Sequence, residues 1–364
     1  MTRFPSLTPM REAAGIYLIN AWQRRGWLAG ALWPLSQLYA AVTALRRASY
    51  RRGCKRGARL PVPVIVVGNI FVGGTGKTPL TIWLVDLLQR NGYTPGVISR
   101  GYGGTATMPQ LASGAALAGE VGDEPLLIAA RSGAPVMVGR RRVEAGRALL
   151  QSYPQVDVII SDDGLQHYAL ERDIEIVLFD VRGTGNGWLL PAGPLREPAT
   201  RRRDFTVLNV GNALPAEVDN AAARLAPSGG PFVRMRLSGA HAEQLSDRRR
   251  QLPLAGLAEL AASQGHGIAA VAGIGNPSRF FAMLSSAGLQ CECVALPDHY
   301  NFLHNPFAAL TEGLILITEK DAVKCQSVEA IRNDPRIWIV PVTAHIDGAF
   351  AEQLLEKLRE SSSA

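Results

Sequence analysis

Residues 63–90 read PVIVVGNIFVGGTGKTPLTIWLVDLLQR, and the pattern inside this stretch decides the fold. Val64, Ile65, Val66 and Val67 are an unbroken β-branched run, which suits a strand buried on both faces of a parallel sheet. Gly73, Gly74 and Gly76 make a turn, after which Leu80, Trp83, Leu84, Leu87 and Leu88 recur at helical spacing until Asn91-Gly92 stops the helix. A glycine turn lets backbone N–H groups close around phosphate oxygens, and the helix N-terminus adds partial positive charge. In such a cradle Phe71, Val72, Gly73, Gly74, Thr75, Gly76, Lys77 and Thr78 wrap a nucleotide's phosphate chain. Lys77 would reach the β- and γ-phosphates, and the Thr78 hydroxyl would ligate Mg2+. The P-loop pattern asks for glycine five residues before Gly76, where this chain has Phe71.

Working outward, Val156–His167 (VDVIISDDGLQH) repeats the buried-strand signal and ends in two carboxylates. Asp162 and Asp163 thus come to the C-terminal end of a strand, where open α/β sheets bind ligands and a Mg2+-nucleotide site needs acid groups. Thr94–Ser99 reads as a second strand leading to a glycine turn with Arg100. Gly122-Asp123-Glu124-Pro125 opens an apolar helix, and two acids there read equally well as partners of the helix dipole. Val136–Val138 and Ile174–Phe179 are further strands, and Phe205–Val210 is expected to close this sheet. Leu190–Pro198 (LPAGPLREP) is a stiff loop that presents Arg196 and Glu197 together.

A length of 364 residues suggests two domains, each with its own core. The net charge of +7 is uneven, because residues 1–60 hold eleven Lys/Arg and one Glu. The rest of the chain is slightly acidic, which counts against nucleic acid as a partner. Cys54, Cys291, Cys293 and Cys325 make no disulfide framework in a chain this long, and Cys291-x-Cys293 lacks a second pair at metal spacing. The chain therefore reads as cytoplasmic and reduced. Gly26–Leu45 carries no charge and is flanked by arginines. Its length allows a bilayer span, but Pro34, Ser36 and Gln37 at its middle favour a helix lying in an anionic membrane interface, with Trp22, Trp27, Trp33 and Tyr39 at headgroup depth.

These signals divide the chain into a membrane-associated helical segment at 1–60, a P-loop core at 61–215, a linker with a small β element at 216–265 and a smaller α/β domain at 266–364. The last shows strands at Ile268–Val271, Glu292–Leu296, Leu314–Thr318 and Ile337–Val340, and ends in a helix near Phe350–Arg359. The fold class is α/β: a P-loop NTPase-like doubly wound sheet, a second α/β domain and an N-terminal membrane-associated helix.

Taken together, the motifs resemble the tetraacyldisaccharide 4′-kinases of lipid A synthesis. The match is carried by Gly68-Asn69 with Gly73–Pro79, Ser99–Gly103, Gly122–Pro125, Asp162–His167, Pro191–Glu197, Gly273–Pro277, Pro297–His299 and Thr318–Lys324, in one order. Phe71 is also what that family shows. The resemblance implies transfer of the ATP γ-phosphate to the 4′-hydroxyl of a tetraacylated disaccharide 1-phosphate, giving lipid IVA. It implies a place on the cytoplasmic face of the inner membrane, held peripherally or by a single N-terminal anchor. It further implies catalytic work for Asp123, His299, Lys77 and Arg196, with Asp123 and His299 as a general-base pair, and Mg2+ shared among Thr78, Asp162, Asp163 and Glu197. A P-loop NTPase coupling hydrolysis to a membrane partner, or a nucleotide-binding scaffold, needs neither a hydroxyl acceptor nor a histidine from the second domain.

Overall fold

The computed structural model of the chain describes residues 21–113, 116–211, 213–225 and 230–362. Residues 1–20 of the expected membrane-associated segment and residues 226–229 of the expected linker lie outside the described residues. After α1 (Trp27–Arg51), the first sheet is laid down by β1 (Val64–Gly68), α2 (Lys77–Arg90), β2 (Pro95–Ser99), β3 (Gln110–Leu111), α3 (Ala118–Val121), α4 (Asp123–Ser132), β4 (Val136–Val138) and α5 (Arg142–Ser152). It continues through β5 (Val158–Asp162), β6 (Ile174–Asp180), β7 (Phe205–Asn209), α6 (Pro215–Leu225) and β8 (Phe232–Ser238).

All five residues of β1 are buried. Period two in a strand sends alternate side chains to opposite faces. Ile65 and Val67 therefore join a core with Leu80, Leu84 and Leu88 of α2, while Val64 and Val66 join another with Leu149 of α5 and Leu225 of α6. With β15 (Thr343–Ile346), the nine strands run in the order β15-β8-β7-β6-β1-β5-β2-β4-β3, parallel except for the two edge strands. β1 thus lies between β5 and β6, and the carboxyl ends of all three lie along one edge of the sheet.

The second sheet comprises β9 (His241–Gln244), β10 (Gln251–Pro253), β11 (Ile268–Ala272), β12 (Glu292–Ala295), β13 (Leu314–Thr318) and β14 (Ile337–Val340). Its helices are α7 (Leu254–Gln264), α8 (Pro277–Ser286), α9 (Glu319–Cys325) and α10 (Glu329–Arg332), and its strand order is β10-β9-β14-β13-β11-β12.

The architecture differs from the expected division in two places. Phe205–Val210 does not close the first sheet, because β8 adds parallel to β7 and β15 (Thr343–Ile346) adds antiparallel to β8. The chain then ends in α11 (Gly348–Ser362), whose Phe350, Leu354 and Leu358 pack into the first sheet's core rather than the second's. Phe350 stacks on Trp83 (5.6 Å between centroids) and meets the edge of Phe205 (5.0 Å). The stretch expected as a linker holds α6, β8, β9, β10 and α7, so the second sheet is an insertion between β8 and β15, with its strands spanning 241–340.

α1 leaves one apolar stripe uncovered. Leu35, Leu38, Val42 and Leu45, at three- and four-residue spacing, are more than half exposed, and Trp27 is 77% exposed. The opposite side is tied to the protein: Ser36 Oγ donates to Leu189 O (2.9 Å) and Tyr39 Oη to Arg196 O (3.1 Å). Just before the helix, Trp22 Nε1 donates to Pro191 O (2.9 Å) and Arg25 Nε to Asn186 O (3.0 Å).

Candidate active site

The phosphate loop between β1 and α2 is held from outside by its carbonyls. Asn69 Nδ2 donates to Phe71 O (2.5 Å) and Gly73 O (3.1 Å), and Asn209 Nδ2, at the end of β7, donates to Thr75 O (2.9 Å). In a trans peptide the N–H points opposite to the C=O, so these tethers aim loop N–H groups inward. Gly73 (φ 109°) and Gly76 (φ 101°) have left-handed backbone, and a Cβ on Gly76 would meet Asn209 Nδ2 at 2.8 Å. Phe71 has no positive φ, which explains why glycine is dispensable there; its ring is buried and carries the Arg182 guanidinium at 4.3 Å.

Lys77 and Thr78 are the first two residues of α2. Lys77 Nζ donates to Asn69 Oδ1 (3.1 Å) and stands 3.7 Å from Asp163 Oδ1. Both carboxylates expected at the end of β5 are there, in different settings. Asp162 is buried and accepts from Thr81 Oγ1 (3.3 Å) and Ser99 Oγ (3.4 Å). Burial, with Glu124 and Asp163 adding, pushes its pKa up to about 6 against the pull of Lys77 and Arg142. Asp163 follows in a left-handed turn (φ 47°). Burial raises its proton affinity too, but Lys77, Arg196 and Arg142 outweigh burial and hold it below the usual carboxylate range. Arg196 Nη1 donates to its Oδ2 (3.4 Å).

Glu197, also expected among the metal ligands, lies buried among charged partners. Its Oε1 accepts from Gln166 Nε2 (3.0 Å), and its Oε2 accepts from Arg201 with Arg47 at 4.0 Å. Both of its oxygens are thus engaged in an internal charge network.

Arg142 belongs to the site although the sequence shows it only as part of a basic helix start. It is 2% exposed and donates to Gly139 O (2.9 Å) and Asp162 O (3.0 Å), and burial brings its pKa down to about 10. His167 is kept neutral at pH 7, its pKa lowered to about 4 by burial and then by Arg142 and Arg100.

The second sheet brings His299 to the first. The loop after β12 holds His299 in left-handed backbone (φ 59°), and its Nδ1 lies 3.1 Å from Asp123 Oδ2. An ionised carboxylate only accepts, so the imidazole donates. Asp123 begins α4, is 4% exposed, and uses its Oδ1 to accept from Glu124 N (3.0 Å). Two lysines of α9 face the same carboxylate oxygen: Lys324 Nζ at 3.7 Å and Lys320 Nζ at 4.0 Å. Burial works to protonate Asp123, but the His299 hydrogen bond and the lysines prevail and hold it low.

That hydrogen bond is the largest influence on His299 and raises its pKa above the ordinary histidine value. A raised histidine contributes stability in full below its unfolded pKa and loses it as pH rises through the folded one. A lowered aspartate contributes above its unfolded pKa and loses it as pH falls through the folded one. The clasp between the sheets is therefore strongest from about pH 4 to about pH 6.5. NMR titration of the imidazole should give His299 a pKa above about 6.5, and Asp123→Asn should remove the elevation. An unshifted His299 in the parent protein would show that the pair does not form in solution.

Comparison with known proteins adds to this geometry. A family profile described as Tetraacyldisaccharide-1-P 4′-kinase matches residues 28–359. The chain is 58% identical over 348 residues to the tetraacyldisaccharide 4′-kinase of Janthinobacterium sp. (strain Marseille), covering 96% of this chain and 97% of that one. It is 50% identical over 349 residues to the enzyme of the same name from Bordetella petrii, covering 94% and 95%. Its fold is similar to LpxK from Aquifex aeolicus, solved in complex with ATP, with a TM-score of 0.74 and 29% identity over 92% of this chain and 99% of that one.

Proposed function

The chain belongs to the tetraacyldisaccharide-1-phosphate 4′-kinase family, and from that premise we propose how its residues move phosphate from ATP to a lipid hydroxyl. It is a kinase of lipid A biosynthesis; the acceptor we assign is the 4′-hydroxyl of a tetraacylated disaccharide 1-phosphate, and the product is lipid IVA. The observation that supports the residue roles is the Asp123–His299 hydrogen bond of 3.1 Å, which joins a carboxylate of the first sheet to a histidine of the second. Glu124, next to Asp123, lies close enough to Asp162 to raise its proton affinity.

Phosphoryl transfer is helped chiefly by positioning and by charge placed where charge develops. Residues 71–78 wrap the phosphates, and Lys77 balances the β- and γ-oxygens. Arg196, beside Asp163, adds positive charge on the same side. The Asp123 carboxylate accepts the proton of the sugar hydroxyl, while His299 orients that carboxylate and stabilises it.

The donor set fits Mg2+. Asp163 Oδ1 is a buried carboxylate oxygen with no hydrogen-bond partner, and Thr78 stands at the helix head. Among the described residues no three His, Cys, Asp or Glu converge on a metal by themselves. That matches a cation that takes one or two carboxylates and fills its shell with water and phosphate oxygens. Held by these residues, Mg2+ would supply positive charge to offset that of the phosphate oxygens.

Incubation with radiolabelled ATP, Mg2+ and the lipid precursor tests the reading. Labelled lipid supports it; free phosphate alone would favour an NTPase, and no turnover would leave only a binding protein.

We also propose a peripheral position on the cytoplasmic face of the inner membrane, with α1 lying in the interface. α1 is long and apolar enough to cross a bilayer, but contacts from Trp22 to Arg47 run along the body of the protein, which favours a helix lying flat. Changing Trp27, Leu38 and Leu45 together to serine should weaken partitioning onto anionic vesicles at least about tenfold and leave KM for ATP unchanged. Unchanged co-sedimentation would remove this face from membrane contact.

A further inference from the structure

Arg279 belongs to the second sheet's layer, near the start of α8, yet its guanidinium reaches the phosphate loop of the first. Its Nη1 donates to Gly74 O (3.3 Å) and its Nη2 to Asp180 Oδ2 (2.7 Å). Asp180, at the end of β6 beside β1, is 1% exposed and also grips Arg182 (2.6 Å). The neighbouring loop carbonyls, Gly73 O and Thr75 O, are held by Asn69 and Asn209 of the first sheet. The carbonyl between them is held from the second sheet.

We propose that Arg279 is a positioning residue for ATP: by drawing the Gly74 carbonyl outward it turns the Thr75 N–H toward the phosphate chain, and it does so only when the second sheet is docked. The trans peptide joining residues 74 and 75 fixes N–H opposite to C=O, so a donor on one side sets the direction of the other. Gly74 is exposed and has no side chain to restrain it, so this peptide is the freest in the loop once its carbonyl is released. Asp180 makes the contact directional, because a buried carboxylate holds the planar fork of Arg279 at one angle. The same docking that brings His299 to Asp123 brings Arg279 to Gly74. Base and phosphate cradle are therefore completed in one movement, and an undocked second sheet leaves both unfinished. This rests on residues 71–78 being the ATP loop.

The test compares full-length Arg279→Ala, Arg279→Lys and Lys77→Ala by equilibrium binding of radiolabelled ATP and by steady-state kinetics. Arg279→Ala should raise Kd and KM for ATP roughly tenfold with KM for the lipid unchanged, since one charged donor is lost. Arg279→Lys should recover part of that loss, because an ammonium can hold only one of the two acceptors well. A structural defect would instead lower Tm and disturb both substrates. Should the alanine variant fail to fold, Arg279→Gln, which keeps most of the stem, carries the same comparison. Parent-like ATP affinity in Arg279→Ala overturns the proposal. So does a fall in kcat at unchanged ATP affinity, which would put the guanidinium on the transferring phosphate instead. If Lys77→Ala also binds ATP normally, the assignment of the ATP loop itself is lost; if only Lys77→Ala is impaired, the role of Arg279 alone falls.

Discussion

Lys77→Ala is expected to lower kcat/KM for phosphoryl transfer by about three orders of magnitude, with weaker ATP binding as well. Loss of one preorganised donor to developing negative charge typically costs about 10²–10³ in rate, and Lys77 carries a full charge. The ammonium has a second duty. It is the largest influence holding Asp163 ionised against burial, so its removal raises the proton affinity of an expected metal ligand. Asn69 also loses the partner of its Oδ1, while its Nδ2 still tethers the loop. The fold should persist, because the contacts of the Lys77 ammonium are to polar groups, Asn69 Oδ1 and Asp163 Oδ1. Initial rates alongside far-UV circular dichroism decide the matter: a folded variant with near-parental turnover would sink the phosphate-loop assignment.

Asp123→Ala and His299→Ala should each cut kcat by about 10²–10⁴, the usual contribution of a positioned base, while barely changing ATP affinity. A sugar hydroxyl is a poor nucleophile at neutral pH, so something must accept its proton as phosphate transfers. Asp123 can do so, being ionised across the neutral range and hydrogen-bonded to His299 on one oxygen. Removing His299 leaves Lys320 and Lys324 free to draw the Asp123 carboxylate away, and removing Asp123 leaves His299 with no carboxylate to orient. The double variant should therefore be little worse than the worse single one. Additive losses would break the dyad, and a near-parental His299→Ala enzyme would remove His299 from the mechanism.

What could be read from the residues follows a physical divide. Val64–Val67, the glycine turn and Asp162-Asp163 announce themselves because strand burial, turn conformation and helix start are local properties of consecutive residues. Asp123 and His299 meet across 176 positions, and each alone has an ordinary reading, a helix-dipole partner and a loop histidine; the family resemblance, rather than the pattern, joined them. Arg142 was hidden because a buried arginine and a surface one look alike in a helix that starts with three. Thr318–Lys324 looks like a solvated charge run, yet Asp321 is buried, accepting from Thr318 Oγ1 and Gly273 N, and its lysines face Asp123. The return of β15 and α11 was hidden for a different reason. An amphipathic helix shows which of its faces is apolar, not which sheet it will cover.

The insertion of the second sheet has an architectural meaning. Ser238 of β8 and Thr343 of β15 are paired neighbours in an antiparallel ladder, so everything between them occupies the place of a hairpin turn. The first sheet is complete on either side of that turn: its last strand and its covering helix lie beyond it. His299 and Arg279 both lie on this inserted unit, so each contact it makes with the first sheet is hung from a single pair of adjacent strand ends.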